Sequence, residues 1–345
     1  MTWSTRPASA ERVAATMKGF EKELAALERQ KPSLDEVVAA LQAGAATRQA
    51  VLSSTIVYGL SDLSPAEGEE IAASWSRLPV AFKAQVLRGL NDASESLFEL
   101  NFRAIAHLCL SDSSSLVRAA AIDLLWFDES PETMQRFMQL ADDEDGSVRA
   151  SALTGLGRFL LLGEYGGIAA DQAGAAQQIA LRLHSDEQQP VSVRRRALEA
   201  LANSSHPQVE GLIRAAYAQG SHEMKIGAIF AMGRTCNPIW GDALLEELAS
   251  EDQESIYEAI AACGQLGLKQ ALPRIGALAQ SNDGEIQLAA IAALGEIGGR
   301  RALDLLSELA EAADDDDVAE AIDVALDGAA FSFGLSAPVG VYGDG

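Results

Sequence analysis

The residues able to do chemistry in this chain are few and scattered. Four histidines stand at His107, His184, His206 and His222, and three cysteines at Cys109, Cys236 and Cys263. A nucleophilic triad needs a histidine beside an activated Ser or Cys, and the Gly-x-Ser-x-Gly elbow that presents such a serine is absent. The Gly-x4-Gly-Lys-Ser/Thr loop that wraps a phosphate is absent too. No pair of cysteines has zinc-ligand spacing, and Cys109 and Cys263 fall on apolar helical faces, where a thiol reads as a small buried hydrophobe. Carboxylates cluster at Asp142-Asp-Glu-Asp145 and Asp314-Asp-Asp-Asp317. Such hard oxygen ligands suit a divalent cation, yet neither run has the alternating acids and distal Glu of a calcium loop. Both read instead as caps and solvated turns at helix starts. The sequence assigns no catalytic, cofactor-binding or metal-binding residue.

The elements that carry these residues repeat. An apolar or small pivot recurs at Val117, Val148, Val193, Met224, Ser255, Ile286 and Val318, in steps of 31, 45, 31, 31, 31 and 32 residues. Three residues before each pivot stand Ser114, Asp145, Pro190, Ser221, Asp252, Asp283 and Asp315. Ser and Asp accept hydrogen bonds from free amides at a helix start, and Pro is tolerated there, so a helix is predicted at every pivot. Small and apolar residues return four, five and eight positions on, as in Ala259/Ile260/Cys263 and Ala290/Ile291/Leu294, which defines one buried helical face. Gly157, Gly233, Gly264 and Gly295 follow, with Gly267 and Gly298 close behind, and read as helix C-termini. A second apolar-periodic segment follows each first helix, at 131–140, 207–218, 238–248, 271–279 and 301–309. Two helices joined by a short turn cannot bury their apolar faces alone and must stack.

The expected fold is therefore all-α, a right-handed α-α superhelix of about 9–10 helical hairpins in solenoid form. Residues 1–110 are read as a helical cap with irregular repeats, with helices at 33–43, 46–59, 64–77, 79–91 and 97–110. Residues 111–328 form the regular repeats, with an insertion near 160–174 whose glycines imply a loop, read as packed and inert rather than as a recognition tip carrying Tyr165. Residues 329–345 are read as a non-helical tail that caps the last hairpin or offers Phe331, Phe333, Leu335 and Tyr342 to a groove. Val13, Met17, Phe20, Leu24 and Leu27 form an amphipathic face over 10–29, read as a cap rather than a coiled-coil seam.

The phrases Asp145-Gly-Ser-Val-Arg-Ala-Ser-Ala-Leu-Thr-Gly-Leu-Gly157 and Asp283-Gly-Glu-Ile-Gln-Leu-Ala-Ala-Ile-Ala-Ala-Leu-Gly295 resemble the short HEAT repeats of phycobilin lyases. The likeness spans residues 112–328. It implies a HEAT-like fold, and it raises a lyase-like alternative in which the repeat surface holds a tetrapyrrole and its acceptor protein. In that chemistry the nucleophilic cysteine belongs to the acceptor, so a missing catalytic motif does not exclude it. Aromatics are 6% of the chain, and no aromatic-rich pocket motif favours it. HEAT-like deoxyhypusine hydroxylases assemble two metals on several His-Glu pairs, whereas this chain has one, His222-Glu223.

Charge narrows the partners. The net charge is −24, and from residue 241 onward 21 Asp/Glu face only 4 Lys/Arg. Nucleic acids and anionic membranes both require a basic face, and the helical-repeat DNA glycosylases are a poor match for the same reason. No run of 18 apolar residues or secretory leader is apparent, which makes a cytoplasmic location the expectation. Arg118, Arg149, Arg194 and Lys225 recur one residue after the pivot and are replaced by Ile256, Gln287 and Ala319 in the last units. They read as a structural ladder pairing with turn carboxylates such as Asp112, Asp143 and Asp186. The chain is thus read as a non-enzymatic scaffold or adaptor that needs no cofactor and binds another protein, one with a basic surface. The contact residues expected on its second helices are Trp240, Asp242, Glu246, Glu247, Arg274, Asp304, Glu308 and Glu311.

Overall fold

The computed structural model of the chain describes residues 31–47, 52–97 and 99–336, which contain helices and no strand. The amphipathic segment 10–29 and the last nine residues lie outside the described residues. The chain divides into two compact units, Met1–Phe159 and Leu160–Gly345.

Unit 1 holds α1 (Leu34–Thr47), α2 (Ser54–Leu60), α3 (Pro65–Trp75), α4 (Val80–Ser96), α5 (Arg103–Cys109), α6 (Ser115–Leu124) and α7 (Pro131–Leu140). The division falls inside α8 (Gly146–Glu164). Within unit 1, α1 packs on α2 and α3, α3 on α5, and α6 on both α4 and α5. Two helices start later than periodicity suggests. Ser53 accepts the amide of Ile56 and starts α2, and Asn101 Oδ1 accepts the amide of Arg103 and starts α5. In each case a side-chain acceptor, not the apolar pattern, sets the boundary.

Unit 2 continues with α9 (Ala170–Ser185), α10 (Val191–Leu201), α11 (Val209–Gln219), α12 (His222–Arg234), α13 (Gly241–Glu247), α14 (Gln253–Gln265), α15 (Leu272–Leu278), α16 (Gly284–Ile297), α17 (Arg300–Ala312) and α18 (Asp316–Ser336). Short 3-10 turns, Pro238–Trp240 and Lys269–Ala271, lead into α13 and α15. The Ser and Asp caps predicted in unit 2 are in place, whereas Ser114 precedes α6 in unit 1 without a side-chain cap hydrogen bond. Ser221 accepts the amide of Met224, Asp252 that of Ser255, Asp283 those of Glu285 and Ile286, and Asp315 those of Asp317 and Val318. The acid runs at 142–145 and 314–317 thus include helix caps, and among the described residues no group of side chains has a metal-binding arrangement.

The first helices α10, α12, α14, α16 and α18 pack in succession, each on the next, while the second helices contact each other little. This layering adds a role to the glycines. Gly233, Gly264 and Gly295 lie in the last turns of their helices, as expected, and there they allow close approach rather than a left-handed cap. A β-carbon on Gly233 would lie 2.8 Å from the Cα of Ala262; on Gly264, 3.3 Å from the Cα of Ala293; on Gly295, 2.9 Å from the Cα of Ala325. One glycine per repeat lets the backbones of neighbouring first helices meet. The turns are made by other glycines, Gly267 (φ 58°) and Gly298 (φ 63°), whose left-handed backbone a β-carbon would strain.

Two further expectations change. The insertion is mostly helix: α8 runs to Glu164 because Leu160 and Phe159 keep its face buried, and only residues 165–169 turn before α9. Tyr165 is displayed there, 82% exposed, on a turn closed by the Gly167 amide donating to the Leu162 carbonyl at 2.8 Å. At the other end α18 does not stop at Gly328 but continues to Ser336. Gly328 faces the Gly295 backbone, and Ala329 beyond it is fully buried, so packing against α16 holds the helix past the glycine.

Candidate protein-binding surface

The titratable groups form separate structural clusters. In unit 1, Thr133 donates to Asp128 Oδ2 at 2.6 Å, and its hydroxyl lies 2.9 Å from His107 Nε2. The trio of hydroxyl, base and acid could suggest a nucleophile, but Thr133 is fully buried and tied to the carboxylate. Burial would raise the Asp128 carboxyl. Hydrogen bonds from His107, Thr133 and Ser130 outweigh it and hold the group well below the usual carboxylate range. In unit 2, His184 is buried with Nδ1 3.0 Å from the Arg194 carbonyl oxygen, and burial lowers its pKa. The exposed His222 lies 3.4 Å from Glu254. Cys109 and Cys263 are buried, and desolvation pushes each thiol up to about 12, far from a thiolate nucleophile.

The basic ladder exists. Lys83 pairs with Asp112 at 2.6 Å, and Arg118 grips Asp143 with two nitrogens while donating to the Asp112 carbonyl. Arg149 donates to the Asp143 carbonyl. In unit 2, Arg194 donates to the His184 carbonyl and Lys225 meets Glu247 at 2.7 Å. Each base ties a first helix to a neighbouring turn or second helix, often through carbonyls that a helix end leaves free.

Of the eight contact residues expected on second helices, two are not available. Trp240 is 3% exposed, with its indole Nε1 donating to Thr235 and Arg214 stacked 4.8 Å from the ring centre. Glu247 is buried and accepts hydrogen bonds from Tyr217 and Lys225. Periodicity placed both correctly on α13 and its lead-in but could not show that α11 and α12 cover them. Arg274 is exposed yet donates to the Leu248 carbonyl, capping α13. Asp242, Glu246, Asp304, Glu308 and Glu311 are exposed on α13 and α17.

A buried ionic network that sequence reasoning missed crosses the first helices. Arg195 on α10 donates to Glu199 at 2.7 Å and extends over α12 towards α14, with Nη1 3.6 Å from Glu254 and Nη2 3.8 Å from Glu258. It passes because Gly227 leaves room: a β-carbon there would lie 2.6 Å from Arg195 Cγ. Burial, reinforced by Glu199, lifts Glu258 to about 7, and Arg195 and Arg196 offset this only in part. The available signal was Gly227 itself, a glycine in mid-helix three positions after the pivot Met224 and one 31-residue repeat beyond Arg196.

Stacked hairpins with one close-approach glycine per repeat agree with the sequence family. Residues 241–327 match the family described as HEAT repeats. That match covers 87 of the 345 residues, and over the described residues the chain has a HEAT-like all-α repeat fold. Its HEAT-like fold is shared with the complex of CpcE and CpcF of phycocyanin lyase from Nostoc sp. PCC7120, at 16% identity and a TM-score of 0.50, covering 78% of this chain and 95% of that one. Human deoxyhypusine hydroxylase is a more distant structural match, at 18% identity and a TM-score of 0.34, covering 77% and 96% of the two chains. The sequence matches no curated protein. Among the described residues, no helix of this HEAT-like chain is long and apolar enough to cross a membrane.

Proposed function

We propose that this HEAT-like protein is a non-enzymatic scaffold that binds another protein through the acidic repeats of unit 2, and that the partner presents a basic surface. The observation that carries the reading is the lack of compensation. Asp242, Glu246, Asp304, Glu308 and Glu311 are exposed, and among the described residues none forms an ion pair. Such a field steers a basic partner and weakens with salt. The test is affinity capture of the tagged chain from its native cells at low salt, against a Glu246→Lys, Glu308→Lys, Glu311→Lys variant. A stoichiometric partner lost in the variant supports the reading with the second helices as the contact, a partner retained equally by both moves the contact off those helices, and capture of no partner overturns the scaffold. Glu247 is left intact because reversing it would disrupt the fold rather than the surface.

The lyase-like alternative rests on the resemblance of the repeat phrases and on the fold shared with the CpcE–CpcF complex. It requires that a free bilin added to the purified chain give a shifted, saturable absorption band.

A further inference from the structure

We propose that the solvent face of the first helices α14, α16 and α18 is the docking surface, and that its occupant is an amphipathic helix of another protein carrying Lys or Arg along one edge. This rests on the scaffold reading and moves its main contact from the second helices to the first.

The face is built by the repeat. Positions one before, two after and six after each pivot lie on one side of a helix, roughly 3.6 residues per turn apart. One before the pivot stand Glu254, Glu285 and Asp317, an acidic edge. Inside it lie half-buried Tyr257 and Leu288, then exposed Ala292 and Val324, the last 69% exposed. Tyr257 feels Glu258 and Glu285 electrostatically, which links the α14 and α16 portions of the edge and strip. The acids of the edge also sit in first helical turns, where the helix dipole favours them, so their presence alone says nothing about a partner. The missing counter-charge at Glu285 and Asp317 does: among the described residues neither forms an ion pair, whereas Glu254 is met by His222 and Arg195. Helices α14, α16 and α18 contain no Lys or Arg, while Arg274, Arg300 and Arg301 all lie on the second helices α15 and α17. An apolar strip bordered by Glu285 and Asp317 is complementary to a helix with an apolar face and a basic edge.

The spacing also favours a helix. Packed first helices lie about 8–10 Å apart, closest where glycine separates them. A helix advances about 10.5 Å in seven residues, so anchors at i, i+7 and i+14 fall on successive repeats in register.

The probe is a fluorescein-labelled 18-residue Leu/Lys amphipathic helix, measured by anisotropy against the full chain, beside a peptide of the same composition with its leucines spread round the helix. The ordered peptide is expected to bind at least about tenfold more tightly. Leu288→Lys with Ala292→Lys should remove at least about tenfold of that affinity, and Asp304→Lys with Glu308→Lys on α17 no more than about twofold. Val324→Lys repeats the test at an exposed site where folding is not at stake, with helicity checked by circular dichroism. Equal binding of the two peptides, or an equal loss from the α17 reversals, overturns the docking face. If the native partner is still captured and is lost on α17 reversal, the scaffold stands and only the face fails.

Discussion

The first and second helices of unit 2 differ in how closely they pack on their own kind. The first helices pack backbone to backbone through Gly233, Gly264 and Gly295. The second helices keep apart, and a β-carbon on Gly211 of α11 would meet nothing within 4 Å. Glycine is therefore a packing requirement at those three positions and an entropic cost at Gly211, while Gly276 on α15 is tight against the Leu305 side chain. The layers also differ in charge: α14, α16 and α18 lack any cation, while α15 and α17 supply three arginines.

The sharpest way to break this contrast is Gly295→Val. Its β-carbon would meet the Ala325 Cα and carbonyl oxygen, both 2.9 Å away and both backbone, so side-chain repacking cannot relieve it. A loss of about 3 kcal/mol is expected. Because repeats couple mainly to neighbours, amide exchange should quicken in α16–α18 while α10 and α12 remain protected. Uniform exchange across unit 2 would show that the layer unfolds as one body.

Glu247→Ala tests whether the second helices hold buried ionic anchors of their own. It leaves the Lys225 ammonium and the Tyr217 hydroxyl without their partner, and a loss of about 2 kcal/mol in urea unfolding is expected. A change under about 0.5 kcal/mol would place Glu247 among ordinary surface residues.

Glu258 distinguishes the layers by pH. Its folded pKa, about 7, lies above its ordinary value of 4.5, so folding takes up a proton between those values. Its contribution to stability is fully present below 4.5 and is lost as pH rises through about 7. Glu258→Gln should therefore raise stability by about 1–2 kcal/mol near pH 8 and flatten the slope in that window. An unchanged slope would assign the proton uptake elsewhere. The smallest effect is expected from Gly211→Ala, a gain of about 0.5 kcal/mol, measured as a higher urea midpoint; a loss there would contradict the open spacing of the second helices.

Much of this was legible in the residues. The 31-residue step and the Asp and Ser caps located the first helices of unit 2, because capping is a local interaction between a side chain and an amide three residues on. The basic ladder at Arg118, Arg149, Arg194 and Lys225 was legible for the same reason, since one base recurs at one position of each unit. What failed were judgements about neighbours. Trp240 and Glu247 looked exposed on their own helix, but Arg214 and Thr235 hold the first while Tyr217 and Lys225 hold the second. Gly233, Gly264 and Gly295 were legible as helix-end residues, but glycine also serves close approach, and only the adjacent helix shows that use.

The sequence by itself determined an all-α chain of repeated hairpins, their starts, and an excess of carboxylate towards its end, since period, capping and charge are carried by residues close along the chain. The tertiary structure decided which glycines are contacts and which are turns, that Arg195 spans two repeats above Gly227, and which carboxylates are left without a cation. Those outcomes depend on side chains about one repeat or more apart meeting across a helix interface, and no local pattern encodes that separation.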